Sequence, residues 1–250
     1  MREVDRRRAV ELQLSSLEKG PGLGAVVPLA TGFPALDAAL GIGGLPRGRI
    51  VEIFGPASCG KTALALQIIA HGQRQGAAAA WIDAERAFDP AFASQLEVDV
   101  ARLPIARPAT AEQALEMVRR FASSGAVDLI ILDSAAALVP ELEMAAGIGN
   151  AGGGLLGRIL SSELRRLSRP MARSGACLVL LNQTRARLGS PGEPETSAGG
   201  PAIKLYASVR IVLAASGHAV RFRVLKNKLM APFTSGCFEW RRGAGFREPR

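Results

Sequence analysis

Apolar residues are grouped along this chain in short continuous runs. Beyond Thr31, six runs have the length of β-strands, at residues 50–54, 78–83, 127–133, 176–182, 208–213 and 219–225. Continuous runs of this kind are typical of parallel strands that are buried on both faces. Helical patterns separate the first four runs, at residues 62–75, 110–124 and 155–174. The alternation predicts βαβ units, and the closely spaced last two runs predict an antiparallel extension of the same sheet.

The pattern also divides the chain into three parts. Residues 3–19 carry Val10, Leu14 and Leu17 at helical spacing, and the glycine-rich residues 20–24 end this pattern. A single short helix is marginal in water, so we expect it to pack on the core or on a neighbouring subunit. The predicted organisation is an N-terminal helix and linker over 1–24, one core domain over 25–240 and a basic C-terminal tail over 241–250.

Composition agrees with one globular core. Hydrophobic residues make up 48% of the 250 positions, and a chain of this length fits one large domain. The charged start MREVDRRRAVELQ does not resemble a secretory signal, and no apolar run approaches the roughly 18 residues of a membrane helix. We therefore expect a cytoplasmic protein with no membrane partner. Cys59, Cys177 and Cys237 lack metal or redox spacing and are expected to be reduced and mostly buried.

Charge is distributed unevenly between residues 1–150 and residues 151–250. Residues 151–250 contain 17 Lys and Arg against 5 Asp and Glu, whereas residues 1–150 contain 14 against 17. Clustered cations displace counterions from nucleic acid, so this asymmetry indicates a polyanionic partner. A solvated basic surface is the alternative interpretation.

The strongest motif is GPASCGKT, from Gly55 to Thr62, which matches G-x-x-x-x-G-K-[ST]. An apolar strand precedes it and a helical run follows it, and this is the context that a triphosphate-binding loop requires. We expect Lys61 to meet the β- and γ-phosphates and Thr62 to hold Mg²⁺. The alternative is a chance match on a glycine-rich turn. The predicted nucleotide-binding set from this loop is Gly55, Pro56, Ala57, Ser58, Cys59, Gly60, Lys61, Thr62 and Ala63.

Two acidic residues at predicted strand ends complete an ATPase site. Asp133 ends the apolar run LIILD and is expected to contact Mg²⁺ through water, although a simple strand-end cap would give the same pattern. Glu85 follows the strand AAAWID and is the candidate for orienting or deprotonating water. A surface carboxylate is the alternative for Glu85. Asp83 is predicted to point the same way as a supporting group.

Six segments in order resemble the core of bacterial RecA recombinases. They are GGLPRGRIVEIFGPASCGKTALALQ, WIDAERAFDP, VDLIILDSAAALVP, NQTR, GGPAIKLYASVR and LKNKLMAPF. The resemblance implies an α/β fold, a P-loop NTPase core with a mostly parallel sheet flanked by helices. It also implies ATP and Mg²⁺ as cofactors, self-association into a helical filament on single-stranded DNA, and pairing with duplex DNA in homologous recombination and DNA repair.

The resemblance assigns further roles to residues at the nucleotide. Glu85 matches the catalytic carboxylate of the family, and Asp89 and Phe92 match its adenine contacts. A helix cap and a core aromatic are the alternatives for that pair. Gln183 matches the residue that senses the γ-phosphate and passes the signal into the next loop. Lys226 and Lys228 match lysines that reach the neighbouring subunit's ATP, with an exposed basic strand as the alternative.

Two loops resemble the DNA-binding loops of the family, at about 147–157 and 184–200. The matching DNA contacts are Arg158, Arg165, Arg185, Arg187, Gly199 and Gly200. Arginine suits the phosphate backbone through its charge and fork geometry, and a solvated helix face is the alternative for Arg165.

The sequence departs from the family in these loops and at its end. Gly153 replaces a methionine, and Gly192 and Glu193 lie near the position of a phenylalanine, so weaker base contacts and weaker strand exchange are expected. The chain ends on EWRRGAGFREPR in place of the C-terminal lobe with its acidic tail, which suggests a short divergent paralogue. Alternative functions are an accessory protein in damage tolerance that binds a translesion polymerase, and a ring-forming helicase or clock-type ATPase on the same core.

Overall fold

We describe a computed structural model of the chain over residues 8, 26–146, 154–186 and 195–249. The predicted helix over 3–19 lies outside these residues apart from Arg8. Within the described part of the chain, no helix is both long and apolar enough to cross a membrane.

The twelve described strands include six that match the predicted apolar runs. In chain order they are β1 Pro28–Leu29, β2 Leu45–Pro46, β3 Ile50–Gly55, β4 Ala79–Asp83, β5 Ile105–Ala106, β6 Leu129–Asp133, β7 Cys177–Ala186, β8 Glu195–Ser197, β9 Val209–Ser216, β10 Ala219–Asn227, β11 Ser235–Arg241 and β12 Gly245–Arg247. Every residue of β3, β4 and β6 is buried, which agrees with strands covered on both faces.

The described residues contain the three predicted helices, each within one residue of its expected bounds, and four further short helices. They are α1 Pro34–Leu40, α2 Lys61–Arg74, α3 Pro90–Gln95, α4 Ala111–Ser124, α5 Glu141–Ala145, α6 Leu155–Ser174 and α7 Pro201–Tyr206. Local chemistry sets several of these ends. Thr110 caps α4 by accepting from Gln113 N, and Gly125 ends α4 in a left-handed conformation.

Ten of the described strands form one large sheet in the order β12-β11-β10-β9-β3-β7-β6-β4-β5, with β8 paired to the end of β7, and β1 and β2 form a separate two-stranded antiparallel sheet. The strands from β9 to β5 in this order run parallel. The strands from β9 to β12 are antiparallel. The α/β class and the antiparallel extension are confirmed. In this sheet β3 is central, so the loop at its carboxyl end lies at the middle of the sheet edge.

Helices cover both faces of the sheet and form two apolar cores. One core contains α1, α2 and the aromatic side chains of β10, β11 and β12. The other contains α4, α6 and α7, and α6 contributes Leu160, Leu164, Leu167 and Met171 at helical spacing. Cys59 and Cys177 are buried and Cys237 is half-buried, each as a free thiol.

The assignment of residues 241–250 to a basic tail is wrong. Strand β11 runs through Arg241, and β12 pairs with it through Glu239, Trp240 and Arg241. Phe246 in β12 is almost completely buried in the core. Apolar and charged side chains alternate in β11, so one face of the strand packs on the core while the other is charged. The charged residues made the segment look like a tail. The core therefore extends beyond residue 240.

Candidate active site

The phosphate-binding loop leads from β3 into α2. Gly60 lies at φ 90°, and a Cβ added to it would come within 2.3 Å of the Phe246 ring. A Cβ on Gly55 would come within 2.4 Å of the carbonyl oxygen of Leu213. Gly60 thus supplies both the left-handed turn and a close approach, whereas Gly55 is required by close packing.

This loop borders a cavity of about 550 Å³, which is within the usual size range of small-molecule sites. Its lining includes the predicted loop residues Ala57, Ser58, Cys59, Gly60, Lys61, Thr62 and Ala63. The Lys61 ammonium group donates to the carbonyl oxygens of Gly55 and Pro56 at 3.1 and 2.7 Å. The first N–H groups of α2 lie beside it, so cationic and N–H donors occur together, as phosphate binding requires.

Thr62 and Asp133 meet at the base of this cavity. The Thr62 Oγ1 donates to Asp133 Oδ2 at 3.0 Å, which joins the start of α2 to the end of β6. Burial, and next the charge of Glu85, raise the pKa of Asp133 to about 6. In the described residues no group of three or more His, Cys, Asp or Glu side chains forms a metal site. One hydroxyl and one carboxylate suit Mg²⁺, which keeps several waters and takes substrate phosphates as ligands.

Glu85 lies beside Asp133 because the backbone holds it there. The N–H groups of Ala84 and Glu85 donate to the carbonyl oxygen of Asp133 at 2.7 and 3.1 Å. The Glu85 Oε1 accepts from the Ser134 hydroxyl and from Gln183 Nε2, the latter at 3.3 Å. Glu85, Gln183 and Asp133 all line the cavity. The structure therefore brings together these three predicted residues from β6, β7 and the end of β4.

Asp83 supports this arrangement from behind. Its buried carboxylate accepts from the N–H groups of Ala87 and Phe88 at 3.0 and 3.2 Å and from Arg107 Nε at 3.2 Å. Asp83 is outside the cavity lining. Instead of pointing the same way as Glu85, it fixes the loop that carries Glu85.

The far end of the cavity is aromatic. Phe92 and Trp240 both line it, with ring centroids 6.5 Å apart and planes 36° from parallel. Asp89 caps α3 by accepting from Ala91 N and Phe92 N. The cap alternative for Asp89 is therefore observed, and it places Phe92 at the cavity. Trp240 was missed, although the alternation of aromatic and charged residues in FEWRRGAGF could have indicated a strand there.

Lys226 and Lys228 lie outside the lining of this cavity. Both ammonium groups donate to the carbonyl oxygen of Leu205 at the end of α7, at 3.1 and 3.2 Å, and Lys226 also donates to that of Lys204. Burial, and next the charge of Lys228, lower the pKa of Lys226 to about 8. The two cations are adjacent on β10 and the turn after it, away from the nucleotide cavity of their own subunit.

The predicted DNA contacts are only partly within the described residues. Arg158 and Arg165 are exposed on α6 and lie on one face, since seven residues make two helical turns. Gly199 and Gly200 lie against the first turns of α6 in left-handed conformations, at φ 85° and 75°. A Cβ on Gly199 would come within 3.0 Å of the Leu160 side chain, whereas a Cβ on Gly200 would meet Gly157 at an ordinary contact distance of 3.9 Å. Arg185 belongs to β7 through its backbone, and Arg187, Gly153, Gly192 and Glu193 lie outside the described residues.

Comparison with known proteins agrees with this geometry. The family model described as the RecA N-terminal domain matches residues 9–247. The chain is similar to Protein RecA of Thermus thermophilus, with 46% identity over 97% of this chain and 78% of that protein. It is 43% identical to Protein RecA of Mycobacteroides abscessus, over 96% of this chain and 76% of the relative.

A solved structure shares the fold. The crystal structure of the RadB recombinase superimposes with a TM-score of 0.69 and covers 89% of this chain and 100% of that chain, at 19% identity. The sequence matches extend through the phosphate-binding loop, Glu85, Asp133, Gln183 and the strands around them. The chain therefore belongs to the RecA family of recombinases.

Proposed function

We propose that this protein hydrolyses ATP in response to single-stranded DNA and acts as a filament-forming recombinase in homologous recombination and repair. The observation that carries the proposal is the contact from Gln183 Nε2 to Glu85 Oε1. Glu85 is the candidate catalytic carboxylate, and Gln183 lies on β7, the strand that leads into the second DNA loop. A single hydrogen bond thus joins the hydrolytic group to the DNA-binding segment.

Each residue of the site has a role that its contacts support. Lys61 and the N–H groups of α2 bind the phosphates. Thr62 and Asp133 would hold Mg²⁺, which neutralises charge on the phosphate oxygens when it is bound. Glu85 orients the attacking water and accepts its proton. Gln183 has an amide that can donate to a phosphate oxygen, and in doing so it releases the Glu85 oxygen that it now occupies.

The aromatic end of the cavity favours a nucleotide with a flat base such as adenine. Phe92 and Trp240 form a tilted aromatic pair with ring centroids 6.5 Å apart, and both rings line the cavity, so they offer a surface on which a flat base can stack. We assign these two residues to the nucleobase and Asp89 to the placement of Phe92.

Lys226 and Lys228 support hydrolysis between subunits. Both lie outside their own nucleotide cavity, and they are held as a pair at the end of α7. In this proposal they contact the phosphates bound by the next subunit, as an arginine finger does in trans. Hydrolysis then requires assembly on DNA.

DNA would bind along α6 and the two loops beside it. Arg158 and Arg165 contact the phosphate backbone, together with Arg185 and Arg187 from the second loop, and Gly199 and Gly200 let that loop approach α6. The proposal does not include a polymerase partner, because no feature of the described residues favours one.

The test is the rate of ATP hydrolysis with and without single-stranded DNA, for the wild type and for Lys61→Ala. DNA is expected to stimulate the wild type, and Lys61→Ala is expected to remove hydrolysis. A strand-exchange assay on the same preparation then tests recombination, and electron microscopy tests filament formation. Hydrolysis that ignores DNA and survives in Lys61→Ala would refute the proposal.

A further inference from the structure

A carboxylate is buried in the middle of the central strand. Glu52 lies on β3, three residues before the phosphate-binding loop, and its side chain is completely inaccessible to solvent. Its Oε2 accepts from Arg210 Nε on the neighbouring strand β9, and the Arg210 side chain is 12% exposed. The guanidinium carbon of Arg210 lies 4.6 Å from the centre of the Phe54 ring. Burial of an ion pair costs desolvation free energy that its Coulombic attraction often does not exceed, so stability alone does not explain the Glu52–Arg210 pair.

The same carboxylate holds the strand that carries Gln183. The Asn182 Nδ2 donates to Glu52 Oε1 at 2.9 Å, and Asn182 is fully buried. Asn182 is the residue directly before Gln183, and its own Oδ1 accepts from the Gln183 N–H at 2.9 Å. The register of β3 and β7 places Gly55 of the phosphate-binding loop opposite Gln183. The position of Gln183 therefore depends on β3, the strand that ends in the nucleotide site.

The network also holds the returning arm of the second DNA loop. The Asn182 Nδ2 donates to the carbonyl oxygen of Ala198 at 2.9 Å, and the Ala198 N–H donates to that of Gln183 at 3.0 Å. Arg210 Nη2 donates to the hydroxyl of the buried Ser197 at 3.2 Å. Both arms of the loop are thus hydrogen-bonded, where the loop begins and ends, to the one buried network that contains Glu52.

We infer that Glu52, Asn182, Ser197 and Arg210, here called the stem clamp, are positioning residues that couple nucleotide binding at Gln183 to the DNA-binding state of the second loop. The inference rests on the proposed function. A displacement of β7 at Gln183 changes the bonds of Asn182, and these bonds reach Ala198 and then Gly199, which packs on Leu160 of α6. Low-dielectric hydrogen-bonded networks are stiff and directional, so the movement is transmitted rather than absorbed.

Among the described residues, the side chains of the stem clamp have one hydrogen bond to the cavity lining, from the Gln183 N–H to Asn182 Oδ1. Variants of it should leave DNA-independent hydrolysis intact and change only the response to DNA. The double variant Glu52→Leu/Arg210→Met replaces the buried ion pair by apolar side chains of similar size, and such exchanges are often neutral for stability. The single variant Asn182→Ala keeps the ion pair and removes the side-chain bonds from Asn182 to Glu52, to the Ala198 carbonyl oxygen and to the Gln183 N–H.

The experiment measures kcat and KM for ATP without DNA, kcat with saturating single-stranded DNA, and DNA affinity with and without a non-hydrolysable ATP analogue. For both variants we expect kcat and KM without DNA to stay within about twofold, while DNA stimulation and the analogue-induced gain in affinity each fall about tenfold. The matched control is Arg47→Met/Asp128→Asn, which removes an ion pair between the turn before β3 and the residue before β6, at the amino-terminal ends of these strands. It should keep both responses.

The outcomes separate the inference from the proposed function. A folded stem-clamp variant with wild-type stimulation and wild-type affinity gain overturns the inference and leaves the proposed function standing. A wild type that shows no DNA stimulation overturns both. An equal loss in the Arg47→Met/Asp128→Asn control also overturns the inference, because the loss would then follow from general weakening of the sheet.

Discussion

The amide of Gln183 donates to the carboxylate of Glu85 at 3.3 Å, across a separation of 98 residues in the chain. Both side chains line the cavity above the phosphate-binding loop. A carboxylate that accepts from an amide has one fewer site for a water molecule. When a phosphate oxygen accepts from the Gln183 amide instead, the Glu85 carboxylate is freed to bind water. The predictions on hydrolysis follow from this exchange.

Glu85→Gln is expected to lower ATP hydrolysis by at least about 100-fold, since a positioned general base typically contributes that much or more. Binding of ATP should stay within about threefold, because Glu85 is not part of the phosphate-binding loop. Steady-state hydrolysis and a fluorescent nucleotide titration measure the two effects. Glu97→Gln, on the exposed Arg74–Glu97 ion pair, is the control. Unchanged hydrolysis in Glu85→Gln would remove its catalytic assignment.

Asp133→Asn is expected to stabilise the protein in Mg²⁺-free buffer near neutral pH. The fold raises the pKa of Asp133 from 3.8 to about 6, so the ionised carboxylate destabilises the folded state above pH 6 by about 3 kcal/mol. The penalty begins as pH rises above 4, and it is about 1 kcal/mol at pH 4.5. Thermal and urea unfolding at pH 7.5 and 4.5 should show a gain that shrinks with falling pH.

The exposed Asp99→Asn is the control for this measurement and should show no such gain. A pH-independent difference between Asp133→Asn and the wild type would contradict the burial argument. The same variant should lose Mg²⁺-dependent hydrolysis, since the Thr62–Asp133 pair would hold the ion.

Trp240→Ala is expected to raise the KM for ATP about tenfold with kcat within about twofold, because base stacking contributes to binding alone. Trp240→Phe keeps an aromatic face and should remain near the wild type. The chain contains two tryptophans, and Trp81 is buried in the core. Fluorescence quenching by ATP that persists in Trp240→Phe would place the base elsewhere.

Mixing two inactive variants tests whether the lysines act between subunits. Glu85→Gln retains both lysines, and Lys226→Ala/Lys228→Ala retains the hydrolytic residues. In an equal mixture, about a quarter of the subunit interfaces contain both intact halves, so DNA-stimulated hydrolysis should reach about a quarter of the wild-type rate. Lysines that act on their own subunit's nucleotide would give no recovery. Each variant measured separately is the control.

DNA affinity is expected to fall steeply with salt. Each phosphate contact adds about one to the slope of log affinity against log salt, so Arg158→Ala should lower the slope by about one. Arg165→Ala should do the same. Arg120→Ala is the control, since Arg120 is exposed on α4 and pairs with Glu116. Equal slopes in all four proteins would remove the α6 assignment.

The site could be predicted where its chemistry is local in the chain. The loop from Gly55 to Thr62, the Asp133 strand end and the bounds of α2, α4 and α6 follow from turn sterics, capping and runs of apolar residues, all of which act over a few positions. Glu85 and Gln183 could be named from their segments, but their contact could not. The family resemblance supplied their roles.

Tertiary structure decided the features that depend on long-range burial. Residues 241–247 looked like a tail because their charges are all basic and Phe246 is their one large apolar side chain, yet Phe246 closes the core beneath Gly60. Glu52 is the one charged residue in the apolar run IVEIF, and only the pairing of β3, β7 and β9 joins it to Asn182 and Arg210. The sequence by itself determines the local backbone, because short-range sterics and hydrogen bonding act between neighbouring residues. The partners of buried polar groups depend on which strands meet, and that is determined by the packing of the whole sheet.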